Sequence, residues 1–288
     1  MRSINSFGFK CESNKCVSKD NFPFVSIAFL VFLTLVAFIV PLFIKEPQNY
    51  MNLSRTYISP NSKYIFGTDG MGRNILIRCI YGGRVSILVG VACMIISSAI
   101  GIIYGCVSGY YGKILDKIMM RILDFFLILP SIVIVAFIQA FFENKGLLEI
   151  ILVISITSWM RVARIVRGEV LKLKSSEFVV ASRGMGAGFF HILRRHLLPN
   201  FMPTIIFICT LNVASAIVTE STLSFLGLGL PVEIPSWGSM LIDAQKDILS
   251  NKWWTSLFPG IMIIATVLSV NSIGEYIRKL NHKNFVSL

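Results

Sequence analysis

Residues 176–200, SEFVVASRGMGAGFFHILRRHLLPN, interrupt an otherwise apolar chain, and their reading decides the fold. Apolar runs flank them on both sides, so they connect two expected membrane spans. Their spacing is nonetheless helical: Glu177, Arg183, Arg194 and Arg195 alternate with Phe178, Val179, Ala181, Met185, Phe189, Phe190, Ile192 and Leu193. Gly184, Gly186 and Gly188 break the pattern at its centre, where residues without a Cβ permit a sharp turn. Pro199 stands near the head of the next apolar run, where its missing N–H costs nothing. The expected object is helix, glycine turn, helix at the membrane surface, a shape a soluble partner can grip. The plainer reading stays open at this point: a basic cytoplasmic loop placed by the preference of Lys and Arg for the cytoplasmic side.

The remainder of the chain points to a bilayer. Hydrophobic residues make up 55% of 288 and charged ones only 15%, and the mean hydropathy is +0.73; a soluble domain carries far more charge. The net charge of +12 makes no case for nucleic acid, because basic loops facing anionic lipid account for it. Cys93, Cys106 and Cys209 lie in apolar runs and read as small hydrophobes. Cys11 and Cys16 have no ligand pair nearby, so no zinc site is expected.

Six spans are expected, over residues 22–44, 85–112, 119–142, 147–166, 197–219 and 256–276. The first is longer than a signal-peptide core and lacks a small-x-small cleavage site, so it reads as a retained span. Residues 73–84 (RNILIRCIYGGR) read as an amphipathic surface helix leading into the second span. Residues 110–117 form a short loop and 143–146 a tight turn. In the third span Pro130 is internal, and Arg121 and Asp124 can pair at i, i+3. Arg161, Arg164 and Arg167 line one face of the fourth; they read as lipid anchors, with pairing to Asp124 as the alternative. Residues 226–255 read as a loop whose Trp237, Trp253 and Trp254 fit an interfacial belt. Most Lys and Arg then fall on one side with both termini, which makes that side cytoplasmic; the basic residues of the first loop are the exception.

No catalytic constellation is present. His191, His196 and His282 have no nucleophile or metal-ligand partner at useful spacing, and no G-x-x-x-x-G-K-[ST] phosphate loop occurs. A non-catalytic membrane subunit that binds no cofactor is expected, with its energy coming from a partner or an ion gradient.

Four stretches together resemble the inner-membrane permeases of ABC importers, in particular the second permease of the dipeptide/oligopeptide/nickel group. They are residues 66–73 (FGTDGMGR) running on to 81–90 (YGGRVSILVG); 109–112 (GYYG) with Arg121, Asp124 and Pro130; the central connection; and 223–229 (LSFLGLG) with 235–238 (PSWG) and 258–260 (FPG). In that family the connection reads E-A-A, then G, then I-x-L-P. The E-A-A positions fall here on Val180, Ala181 and Ser182, the glycine on Gly186, and the end on His196, Leu197, Leu198 and Pro199. The signature acid is replaced by Val180, and Glu177 one turn earlier supplies a charge instead.

The resemblance implies an all-α integral membrane protein with six transmembrane helices in the type I ABC importer permease fold. It divides the chain into a cytoplasmic segment 1–21, a first helix 22–45, an extracytoplasmic loop 46–83, a five-helix permease domain 84–276 and a cytoplasmic tail 277–288. Within the domain, a loop over about 170–198 couples to two cytoplasmic ABC ATPases, which hydrolyse the ATP. The further implied partners are a second permease subunit, forming a heterodimer, an extracytoplasmic substrate-binding protein and the lipid bilayer of the bacterial inner membrane. Glu177, Phe178, Val180, Ala181, Ser182, Gly186, Phe189, Leu198 and Pro199 are the expected coupling residues, with Val179 and Met185 adding apolar contact. Glu220, Ser221 and Asp124 are the expected pathway or gate residues; for Glu220 the alternative is a helix-end carboxylate in water. Asp69 and Arg73, at i, i+4, are expected to stabilise the first loop. Di- or oligopeptides are the expected cargo, with nickel or another small solute as the alternative. A rival of another class, an ion-coupled secondary transporter, requires inverted repeats and midplane charge pairs that the sequence does not display.

Overall fold

The computed structural model describes residues 22–44, 47–142, 146–231 and 233–286. The segment 1–21 with Cys11 and Cys16, and residues 143–145 of the expected turn, lie outside the described residues. Apart from one isolated bridge between Thr68 and Asn74, the described secondary structure is helical.

The first helix, α1 (Phe24–Ile39), carries no charge and buries only Leu33 and Ala37. The second, α2 (Ile75–Tyr111), is capped by Asn74, whose side chain accepts from the Leu76 N–H. The surface helix expected over 73–84 is instead the beginning of α2, with Ile75, Arg78, Cys79, Gly82 and Gly83 buried. Charge pairing permits this. Arg73 meets Asp69 at 2.6 Å and Asp243 at 2.8 Å, and Arg78 meets the same two carboxylates at 2.8 and 3.0 Å. Both guanidinium groups are neutralised before they leave water. The expected Asp69–Arg73 contact in the first loop is therefore part of a larger network. Tyr57 donates to Asp247 at 2.7 Å alongside it, and that carboxylate holds the phenol above the ordinary tyrosine range.

Gly112, at φ +62°, turns α2 directly into α3 (Lys113–Ile128), so the loop expected over 110–117 contracts to one residue. Leu129 is extended, as a residue before proline prefers. The chain then enters α4 (Ser131–Gln139) at 86° to α3, which makes the expected third span a broken one. After α5 (Leu147–Lys174) come α6 (Glu177–Gly184), α7 (Phe189–Ile192), a wide π turn over Leu193–Leu197, and α8 (Leu198–Phe225). The expected loop over 226–255 contains α9 (Trp237–Leu249), and α10 (Trp254–Val286) continues through the expected sixth span into the tail.

Among the described residues four helical stretches are long and apolar enough to cross a membrane: Phe24–Leu42, Ile75–Tyr111, Phe189–Phe225 and Trp254–Leu280. The bent α3–α4 pair makes a fifth. The helix expected as the fourth span, α5, is not among them because of its charges, Glu149, Arg161, Arg164 and Arg167, yet it is deeply enclosed, with Ile150, Val153, Ile154, Val162, Ala163, Val166 and Val170 buried.

Its enclosure comes from α2, beside which it runs in parallel. A Cβ on Gly101 would lie 2.5 Å from Val162 Cβ, one on Gly105 2.6 Å from the Ala163 carbonyl and 2.9 Å from Val166 Cβ, and one on Gly109 2.9 Å from Val170 Cβ. Glycines spaced i, i+4, i+8 thus face valines spaced i, i+4, i+8, and the helix backbones approach as only small residues allow. The seam takes in two consecutive G-x-x-x-G pairs, Gly101–Gly105 and Gly105–Gly109. Gly105→Leu is expected to cost about 1–3 kcal/mol by overpacking and to lower the thermal midpoint in detergent. Gly168→Ala on α5, where an added Cβ meets nothing within 4 Å, is expected to leave the midpoint unchanged or raise it slightly.

Candidate functional site

Residues 176–200 form a compact lever at one end of the bundle. Val179 and Val180 N–H groups donate to the Ser176 carbonyl as α6 begins, and Glu177 stands exposed in the first turn, where a negative charge suits the helix dipole. The helix closes at Gly186, φ +86°, with the Gly186 N–H on the Arg183 carbonyl and the Ala187 N–H on the Ser182 carbonyl. Of the three glycines only Gly186 needs its freedom; Gly184 and Gly188 have ordinary φ. The π turn sits just ahead of Pro199, where widening the helix clears its ring from the preceding turn.

One face of the lever is locked to the bundle. Val179, Ser182, Ile192 and Leu197 are buried, and Leu198 packs partly against the same cluster. Phe189 packs on the rings of Tyr110 (4.8 Å) and Tyr111 (5.5 Å) at the end of α2. Arg183 stands 4.9 Å over the Tyr110 ring, and Lys174 donates to the Tyr110 carbonyl. The opposite face is bare: Phe178, Val180, Ala181, Met185, Gly186, Phe190 and Pro199 are exposed, Met185 by 83% and Phe190 by 81%. The apolar set expected for a partner is corrected in two places, since Val179 and Phe189 turn inward. Phe190 turns outward and was missed. Helical spacing carries the signal: Val179 and Ser182 share one side of α6, and Phe178, Ala181 and Met185 share the other.

At the other end of α8, Glu220 is fully buried. Its Oε1 accepts from Ser224 at 2.8 Å and Ser236 at 2.7 Å, and Ser221 lies 3.5 Å from Oε2. The water-exposed helix-end reading of Glu220 is overturned: α8 runs past it to Phe225, and serines replace solvent. A Cβ on Gly238 would lie 3.0 Å from Ser224 Cβ, so the LSFLGLG and PSWG stretches meet as one object. Trp237 is buried rather than interfacial; its Nε1 donates to the Cys79 carbonyl at 3.0 Å and its N–H to Ser86 at 3.3 Å. Trp254 is buried too, donating to the Thr68 carbonyl at 3.2 Å, which leaves Trp253 as the exposed member of the expected belt.

Asp124 does not join Glu220 and Ser221. It pairs with Arg164 of α5, both half exposed, rather than with Arg121. Asp116 binds Arg167 through contacts of 2.9 and 2.6 Å and accepts from Ser108 at 2.5 Å. Two of the three arginines expected to anchor in lipid thus tie α5 to α3. A cavity of about 580 Å³ opens among Asp116, Lys117, Arg121, Asp124 and Arg167. Along the same helices lies a smaller one of about 50 Å³, walled by Ser131, Thr157, Ser158, Arg161, Asn212 and Thr219. Apart from Arg161, which the sequence placed in lipid, these wall residues were missed. Their signal was available: Asn212, Ser215 and Thr219 repeat at i, i+3, i+7 in an apolar run, a polar stripe on one helix face.

The description "Binding-protein-dependent transport system inner membrane component" fits a family model that matches residues 97–283, from the middle of α2 into α10. The chain belongs to that family. It is a multi-pass inner-membrane permease subunit of an ABC importer. Among curated relatives, the dipeptide transport system permease protein DppC of Bacillus subtilis is 38% identical over 94% of this chain and 84% of its own length. The oligopeptide transport system permease protein OppC of the same organism is 39% identical over 88% and 83%. Among solved structures, the inward-facing MetNI methionine ABC transporter aligns at a TM-score of 0.59 and 18% identity over 72% of this chain and 96% of that one, a likeness of fold.

In this permease Glu220 holds serine hydroxyls from two elements. Glu220→Ala is expected to cost about 1–3 kcal/mol for each hydroxyl left buried and unpaired, and Glu220→Gln less. The check is the thermal midpoint of the purified variants, with Thr222→Ala, an exposed neighbour, as the unaffected control.

Proposed function

We propose that this permease conducts di- or oligopeptides and is driven through residues 177–199 by two cytoplasmic ATPases, alongside a second permease and an extracytoplasmic binding protein. The observation that carries the coupling is the bare face of α6 and α7. Val180, Ala181, Met185 and Phe190 are exposed on a lever whose other face is fixed to α2 and α8. An apolar surface beyond the end of the bundle calls for a protein cleft, and a rigid mount transmits force where a flexible loop would absorb it. Closure of the ATPases would draw the levers together, and the bundle would exchange an inward-open for an outward-open arrangement. The Lys and Arg balance supports a cytoplasmic lever and cytoplasmic termini. The chain itself would bind no cofactor and catalyse no reaction.

The cargo reading is supported by the printed names of the relatives. The cavity between α4, α5 and α8, at about 50 Å³, is too small for a peptide by itself; its hydroxyls, the Asn212 amide and the Arg161 guanidinium would be a polar part of the wall of a pathway shared with the second permease. Glu220 and Ser221 would serve there as positioning groups that seat α9 on α8, with Asp124 and Arg164 lower along the path.

Gly186→Pro should uncouple the machine. The ring fixes φ near −65° where the chain needs +86°, so the reconstituted complex should hydrolyse ATP with uptake lost. Normal uptake would remove the coupling assignment. Uptake with the matching binding protein should follow peptides; uptake of nickel alone would remove the cargo assignment.

A further inference from the structure

Away from the lever and the polar cavities, an apolar slot of about 230 Å³ lies between α1, α2 and α10. Phe29, Phe32 and Val36 of α1 form one wall, Leu76 and Gly83 of α2 another, and the Trp237 ring the floor. The α1 residues recur at i, i+3, i+7, so the slot follows two turns of the helix for about 10 Å. Its mouth opens on the exposed face of the first apolar span, where Phe32 is 64% exposed. Water entering there would find no hydrogen-bond partner, and a void would forfeit the dispersion contacts of every wall. Beside Gly83, at one end of the slot, the exposed guanidinium of Arg84 stands 5.6 Å over the Phe38 ring and makes no ion pair among the described residues.

We propose that the slot holds one acyl chain of a bound phospholipid, with the headgroup phosphate on Arg84. Three observations select this occupant. The slot is walled by apolar side chains along two turns of α1, it opens on the exposed apolar face of a span, and beside Gly83 stands a cation with no ion pair among the described residues, on a side chain long enough to reach the headgroup level. The bound chain would complete the packing of α1, which by itself buries only Leu33 and Ala37.

Brominated acyl chains quench tryptophan at short range, and Trp237, closed to solvent but lining the slot, is the reporter. The full chain is placed in nanodiscs of phosphatidylcholine with dibrominated acyl chains and, for reference, in unbrominated ones. Comparison with Trp237→Phe isolates the Trp237 signal. Most of that signal should be lost in the brominated bilayer. Val36→Phe and, independently, Leu33→Phe fill the slot and should restore it with circular dichroism unchanged. Arg84→Ala should weaken the quenching when brominated lipid is a minor component. An unquenched Trp237 in the unmodified chain would overturn the proposal, showing the slot empty or closed by protein. Quenching that survives both filling variants would also overturn it, because lipid would then reach Trp237 by another route.

Discussion

Three glycines of α2 face three valines of α5 across a gap that admits no Cβ, and the working parts of the permease are placed by that contact. The two helices run in parallel, so the ends of both reach the lever together. Tyr110 and Tyr111 at the end of α2 receive Phe189, while α5 passes directly into α6. A close-packed seam resists sliding, because interiors at this density shift between discrete arrangements rather than deform smoothly. A displacement of α6 therefore moves α2 and α5 as a pair.

The charges follow the same logic. Asp116 with Arg167 and Asp124 with Arg164 tie α3 to α5, so the first limb of the broken span travels with the seam. At the opposite end, Arg73 and Arg78 share Asp69 and Asp243, which binds the first loop and α9 to the start of α2. Glu220 then fixes the approach to α9 onto α8 through Ser236. Between these two sets of polar ties lies the small cavity walled by Thr157, Arg161, Asn212 and Thr219.

Much of this was legible in the residues. The helix–turn–helix over 176–200 followed from spacing and glycine, and the family from motifs that the fold brings together. Composition spoke clearly for a membrane because lipid leaves a strong hydropathy signal. The errors cluster where a partner distant in sequence changed a residue's environment. Arg78 looked like the polar face of a surface helix until Asp69 and Asp243 neutralised it. Glu220 looked like a span end until Ser236 enclosed it. Trp237 looked interfacial because indole favours headgroups, yet the Cys79 carbonyl satisfied its N–H inside the protein. Val179 and Phe189 were grouped with Met185 because hydrophobicity alone does not say which face of a short helix turns inward. The break at Pro130 was visible as a proline, but its 86° bend depends on where α4 finds its packing.

The central claim is that an external motor grips the bare face of the lever. The direct measurement is cysteine crosslinking from Met185, 83% exposed, in membranes containing the assembled importer. A cysteine there, and one at Val180, is predicted to crosslink to the nucleotide-hydrolysing subunit and to resist a membrane-impermeant thiol reagent applied outside intact cells. Labelling of those positions from outside, with no crosslink to that subunit, would contradict the account.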